Sequence, residues 1–279
     1  MLILKNKKDI QQYIAKIKTK ASVGFVPTMG ALHQGHISLV KKSKNKCDIT
    51  ICSIYVNPTQ FNDVTDLEKY PKIIESDIEQ LALNGCDVLY MPETNDIYSN
   101  DIDYSFDLQG IEKRWEGPLR PGHFEGVINI CYRLFEVCKP NEVFFGQKDF
   151  QQCAVIQSMI RHYKLPIIFN SCEIVRELDG LAMSSRNIRL STEQRGQSSA
   201  IPLYMKKAVL LKEDYTPEKL SEWLTQTLNA QLGLQVDYAA VVDTIDLKPA
   251  IDWKWETAIL VACKVGNIRL LDNIIIPAK

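Results

Sequence analysis

Histidine is scarce in this chain, with 4 among 279 residues, so a place where two stand together carries weight. None of the 8 cysteines forms a C-x-x-C pair, and most lie in apolar segments such as Ile51-Cys52-Ser53-Ile54, which predicts reduced core residues in a cytosolic protein. No apolar run approaches the roughly 20 residues needed to cross a bilayer. The start, Met1-Leu2-Ile3-Leu4-Lys5, lacks a signal-peptide core, so the expected location is cytoplasmic with no membrane association. A strong charge of either sign is missing too. The formal net charge is -1 and the pI about 6.4, giving no global field toward nucleic acid or anionic lipid. The basic run Lys41-Lys42-Ser43-Lys44-Asn45-Lys46 falls at the end of a predicted helix, where cations complement the dipole, and is assigned no function.

What is present is ordinary for a globular protein: 46% apolar and 24% charged residues, in a chain long enough for two domains. Short apolar runs at 23–26, 49–56, 87–91, 143–145 and 167–169 alternate with helical patterns at 8–19, 36–46, 66–83, 124–138 and 149–163. That alternation predicts a Rossmann-like α/β domain, a parallel sheet with helices on both faces and its ligand loops after the strands. Beyond about 175 the order changes. Helical patterns near 192–212 and 217–231 precede strands near 236–242, 258–265 and 268–272, with a Gly266-Asn267 hairpin turn, so a smaller C-terminal α+β domain is expected over 175–279, after a first domain over 1–174.

The two clustered histidines lie in Pro27-Thr28-Met29-Gly30-Ala31-Leu32-His33-Gln34-Gly35-His36, directly after one apolar strand and before a helical pattern. Unpaired N–H groups and a positive dipole end at a helix start suit an anion, and the glycines allow a ligand to approach closely, so the segment predicts a nucleotide phosphate site. Histidines at i and i+3 also occur as zinc ligands or plain surface residues, but cysteine and carboxylate partners at zinc spacing are missing nearby.

Four further segments carry polar groups on predicted loops. Asn57-Pro58-Thr59-Gln60 offers amides suited to hydroxyl and carboxylate groups, or is simply an Asn-Pro turn. In Gly146-Gln147-Lys148-Asp149, a lysine opposing a helix dipole fits a phosphate clamp, with Gln152 a turn further on. Ser184-Ser185-Arg186 can hold phosphate oxygens, or forms a helix cap with a solvent-facing arginine. Arg120-Pro121-Gly122-His123 could recognise a carboxylate. Asp77 could reach a magnesium ion, the alternative being a solvent-facing helix carboxylate.

Taken together, the blocks at 27–36, 56–61, 120–124, 144–152 and 179–187 resemble the pantoate–β-alanine ligase (pantothenate synthetase) family of the nucleotidylyl-transferase superfamily. The resemblance implies a Rossmann-like domain, a C-terminal lid domain, a homodimer, and ATP-dependent ligation of (R)-pantoate to β-alanine through a pantoyl adenylate, releasing pyrophosphate and AMP. It also implies roles. ATP is bound by Met29, Gly30, His33, His36, Gly146, Lys148, Asp149, Val175, Met183, Ser184, Ser185 and Arg186, of which His36, His33, Lys148 and Arg186 are the catalytic set. Pantoate meets Gln60 and Gln152, and β-alanine meets Gln60 with His123 and Arg120 as further candidates. Two departures follow from the comparison: position 147 is Gln where many relatives have Glu, with only a backbone contact expected there, and Ser76 precedes Asp77 where some relatives carry consecutive acids. Mg²⁺ is accordingly expected mostly on ATP phosphates and water. The alternative activity is nucleotidyl transfer to a phosphorylated small molecule.

Overall fold

The computed structural model describes residues 1–17, 20–62, 64–98 and 102–278. The elements run β1 (Leu2–Leu4), α1 (Lys7–Ile17), β2 (Val23–Thr28), α2 (Gln34–Lys46), β3 (Ile49–Ile54), α3 (Val64–Glu68), α4 (Ile74–Leu83), β4 (Val88–Tyr90), α5 (Thr94–Ile97), α6 (Glu116–Leu119), α7 (His123–Cys138), β5 (Glu142–Gly146), α8 (Phe150–His162) and β6 (Ile168–Cys172). They continue with α9 (Thr192–Ser198), α10 (Ala200–Leu210), α11 (Pro217–Asn229), β7 (Leu234–Asp243), β8 (Thr257–Val265) and β9 (Ile268–Ile276). The chain divides into two compact units, Met1–Gly146 with Gln152–Cys172, and Gln147–Gln151 with Glu173–Lys279.

In the first unit six strands pair in the order β1-β4-β3-β2-β5-β6, every pair parallel. The order reverses between β2 and β5, so their C-terminal ends, Thr28 and Gly146, flank the switch point where open α/β sheets bind ligands. Strand alternation explains why both runs are continuously apolar. Val26 and Phe144 join Leu39, Val40 and Leu81 in one buried cluster, while Phe25 and Phe145 meet Phe135 of α7 edge-on at 6.2 and 6.4 Å. Gly24 is required for close approach of α2, because a Cβ there would lie 2.2 Å from Ser43 Oγ.

The second unit carries the antiparallel sheet β7-β8-β9. Its core joins Met205 of α10 and Leu220, Leu224 and Leu228 of α11 to Val241, Ile259, Val261 and Cys263. The i, i+4, i+8 spacing on α11 is the apolar stripe of an amphipathic helix. All 8 cysteines of the chain are buried thiols, and burial pushes Cys131 and Cys263 up to about 12, so they stay protonated at neutral pH.

Differences from the sequence reading have local causes. The helix expected over 66–83 is two, α3 and α4, interrupted at Tyr70-Pro71, where the ring excludes helical backbone before it and no N–H is available. The pattern over 192–212 separates into α9 and α10, with Pro202 in the first turn of the latter. Of the helix expected over 8–19, positions 18 and 19 lie outside the described residues. β1 is too short to announce itself, and β9 runs through Asp272-Asn273, a polar pair that ends the apolar pattern at 272 without ending the strand. Among the described residues, no helix is long and apolar enough to cross a membrane.

Candidate active site

The turn after β2 is built on two left-handed residues, Gly30 at φ 83° and Ala31 at φ 50°. The second is strained for an alanine, and Asp77 holds it there. Its Oδ2 accepts the Ala31 N–H at 2.8 Å and its Oδ1 the Leu32 N–H at 2.7 Å. Burial raises the Asp77 pKa, and the two amides partly offset that rise. Asp77 is fully buried, which corrects the solvent-facing expectation: each of its oxygens accepts a backbone N–H of the turn. Among the described residues no group of three His, Cys, Asp or Glu side chains could hold a metal ion.

His33 is the N-cap of α2 and His36 its third residue, and the two cap each other. The Gly35 N–H donates to His33 Nδ1 at 3.1 Å, and the His33 N–H donates to His36 Nδ1 at 3.3 Å. This is a capping box made of imidazoles. A backbone N–H can only donate, so both Nδ1 atoms are acceptors and the neutral rings carry their proton on Nε2. The rings lie 4.1 Å apart between centroids, so one helix start carries two imidazole N–H donors beside its own dipole.

Gln60 is buried in the 3-10 turn Pro58–Gln60, and its Nε2 lies 2.7 Å from Met29 Sδ, which brings this loop to the turn after β2. The first turn of α7 clamps it. His123 Nδ1 donates to the Gln60 carbonyl at 2.8 Å, Asn57 Nδ2 donates to the Gly126 carbonyl at 3.1 Å, and a Cβ on Gly126 would meet Thr59 O at 2.5 Å. Asn57 Oδ1 accepts the Tyr98 hydroxyl at 2.8 Å. His123 is 5% exposed, and through this contact it supports the Gln60 backbone. Arg120 and Gln152, in the first turn of α8, are each half-buried, and Gly146 ends β5 with open space where a Cβ would stand.

The other sequence-derived residues belong to the second unit. Val175 and Met183 are joined across a small hairpin whose turn is Asp179-Gly180, the Met183 N–H donating to the Val175 carbonyl at 3.0 Å. Ser184-Ser185-Arg186 follows directly. Ser184 Oγ accepts the Arg186 N–H at 3.3 Å, and a 3-10 turn, Asn187–Arg189, comes next instead of the α-helix that a serine cap would start. Arg195 of α9 divides its guanidinium between Glu177 and Asp179, at 2.8 and 2.6 Å, locking the hairpin. Lys148 Nζ lies 3.4 Å from Asp149 Oδ1. Gln147 Nε2 donates to Asn273 Oδ1 at 3.0 Å, a side-chain contact where only a backbone contact was expected.

Sequence reasoning missed Asp77 as the turn's anchor, Asn57 as a brace, Arg195, and Asn273. A signal existed for the first: Asp77 stands four residues before the buried Leu81 on one face of α4. For the last, two polar residues inside an apolar strand were the signal.

A 3-2-1-4-5 parallel arrangement of β4-β3-β2-β5-β6, with a glycine turn and a donor-rich helix start at its switch point, defines a Rossmann-like α/β protein. The chain belongs to the Pantoate-beta-alanine ligase family, whose family model matches residues 2–275. It is 42% identical over 270 residues to the pantothenate synthetase of Porphyromonas gingivalis, covering 95% of this chain and 96% of that one. Its structure matches the pantothenate synthetase of Thermus thermophilus with a TM-score of 0.91 at 31% identity, covering 98% and 99% of the two chains. A pantoate-beta-alanine ligase of Francisella tularensis, complexed with beta-gamma ATP and beta-alanine, matches with a TM-score of 0.81 at 33% identity over 98% and 97%.

Proposed function

We propose that this chain joins (R)-pantoate to β-alanine at the expense of ATP, by way of a pantoyl adenylate. Membership of the family, the names of its relatives and the ATP and β-alanine in the Francisella complex support the reading. The observation that carries it is the imidazole pair at the start of α2, whose Nε2–H groups are fixed by the backbone cap. In the first step a pantoate carboxylate oxygen attacks the α-phosphorus, the bond to the β-phosphate oxygen breaks, and pyrophosphate leaves with the electron pair. Two anions must approach, so neutralisation and alignment are the protein's main task. His33 and His36 donate to the phosphate oxygens where charge grows. Met29, Gly30 and Gly146 bind the nucleotide, as do Asp149, Val175 and Met183, and Lys148, Ser184, Ser185 and Arg186 take the phosphates.

Pantoate is held by Gln60 and Gln152. In the second step the neutral amine of β-alanine attacks the acyl carbon, the acyl–phosphate oxygen bond breaks, AMP departs and the amine loses a proton. Gln60 and Arg120 receive β-alanine, and His123 acts through Gln60. Mg²⁺ would be held mostly by the ATP phosphates, where it would neutralise phosphate charge, with Asp77 as the candidate carboxylate of this chain. We further propose a nucleotide- and pantoate-binding domain over 1–174, a lid over 175–279, a homodimer and a cytoplasmic location. The test is product analysis: purified protein with ATP, Mg²⁺ and pantoate releases AMP and forms pantothenate only when β-alanine is added. AMP release independent of β-alanine, or a stable nucleotidyl product, would overturn the ligase reading.

A further inference from the structure

Asn273 is 2% exposed in the middle of β9, where an amide is costly unless every polar atom is satisfied. It is satisfied by one segment. Its Nδ2 donates to the Gln147 carbonyl at 2.9 Å and the Lys148 carbonyl at 3.0 Å, and its Oδ1 accepts from Gln147 Nε2 at 3.0 Å. The amide thus grips the two peptide units on which Lys148 is mounted. Behind it stands an ion pair whose carboxylate is buried. Arg176 reaches both oxygens of Asp272, at 2.7 and 2.9 Å, and donates to the Asn273 carbonyl at 3.3 Å and the Gly180 carbonyl at 3.0 Å. The same guanidinium therefore ties β9 to the hairpin that leads into Ser184-Ser185-Arg186.

We infer that Asn273 is a positioning residue for Lys148, fixing the backbone from which its ammonium is presented to phosphate, with Gln147 as its reciprocal partner. The inference rests on the reading of Lys148 as a phosphate-binding residue. Chemistry selects this pair: a carboxylate at 147 could not donate to Asn273 Oδ1, and a carboxylate at 273 could not donate to either carbonyl. A lysine held by a flexible stem has little directional precision of its own, so fixing its Cα narrows where the charge sits.

The test uses Asn273→Ala, Asn273→Asp and, acting from the other side of the contact, Gln147→Ala, each checked for a cooperative thermal transition that shows it folded at the assay temperature. Hydrogen exchange of the 147–151 amides in ATP-free protein is expected to quicken by about tenfold. The KM for ATP in pantoate-dependent turnover is expected to rise by about tenfold while that for pantoate stays within about twofold. Combining Asn273→Ala with Lys148→Ala is expected to add nothing to the ATP effect of Lys148→Ala alone. Unchanged exchange and ATP KM in folded variants would overturn the inference, as would equal rises in both KM values or full additivity with Lys148→Ala. Should the unsubstituted protein fail to form pantothenate, the functional reading falls, while the exchange measurement still decides whether Asn273 holds the segment.

Discussion

Asp77 holds Ala31 in a left-handed conformation from 46 residues away, its Oδ2 accepting the Ala31 N–H at 2.8 Å. Because Oδ1 takes the neighbouring Leu32 N–H, one side chain on α4 sets the path of the turn that delivers His33 and His36 to the start of α2. Replacing one oxygen by an amide group points a donor at one of those N–H groups. Asp77→Asn is therefore expected to lower stability by about 1–3 kcal/mol, read as a lower urea midpoint at unchanged m. Adenylate formation should fall with it. An unchanged midpoint would remove Asp77 from its place as anchor.

The mutual cap of His33 and His36 separates folding from chemistry. His36→Gln keeps an acceptor for the His33 N–H, the side chain a capping box ordinarily uses, so its melting temperature should match the parent. His36→Ala loses both the cap and the Nε2–H donor. Its rate of adenylate formation, followed in a single turnover, is expected to drop by about 10²–10³-fold, as when one transition-state donor is removed. A rate within about threefold of the parent would withdraw the role given to His36.

Gly146 offers a steric test. A Cβ built there meets no atom within 4 Å, so Gly146→Ala should leave thermal stability unchanged. If the nucleotide passes against this strand end, the added methyl raises the KM for ATP by about tenfold or more. An unaltered ATP KM would place the nucleotide elsewhere.

Much of this arrangement was legible in the chain. The strand–turn–helix around 27–36, the parallel alternation and the antiparallel tail follow from apolar period, glycine placement and the scarcity of histidine. The supports were not, since they depend on which face of a helix is buried and on partners far away in sequence. Asp77 looked like an exposed helix acid, yet shares a face with Leu81. Asn273 looked like the end of a strand, yet lies inside one and reaches residues 125 and 126 positions away. His123 shows the same limit: nothing in its glycine-rich loop announced the contact its ring makes with the Gln60 carbonyl, 63 residues away.

The Arg195 fork makes the second unit sensitive to acid. Burial acts upward on both Glu177 and Asp179, but the hydrogen bonds and charge of Arg195, helped by Asn187 for the first and the Leu181 N–H for the second, hold both carboxyls below their usual values. A lowered folded pKa stabilises the native state when the carboxylate is ionised, above the unfolded range, and that stabilisation is lost as pH falls through the folded value. Stability should therefore decline below about pH 4. These side chains are about one-third exposed, so Arg195→Met is expected to cost only about 1 kcal/mol at neutral pH. The difference between variant and parent should shrink toward low pH, and a constant difference from neutral pH to acid would contradict the assignment.

The most direct measurement is exchange of labelled pyrophosphate into ATP, run with pantoate and without β-alanine. A reversible pantoyl adenylate predicts exchange that requires pantoate and is lost with the His36→Ala variant. Folded protein that shows no pantoate-dependent exchange, yet still makes pantothenate once β-alanine is added, would contradict the adenylate.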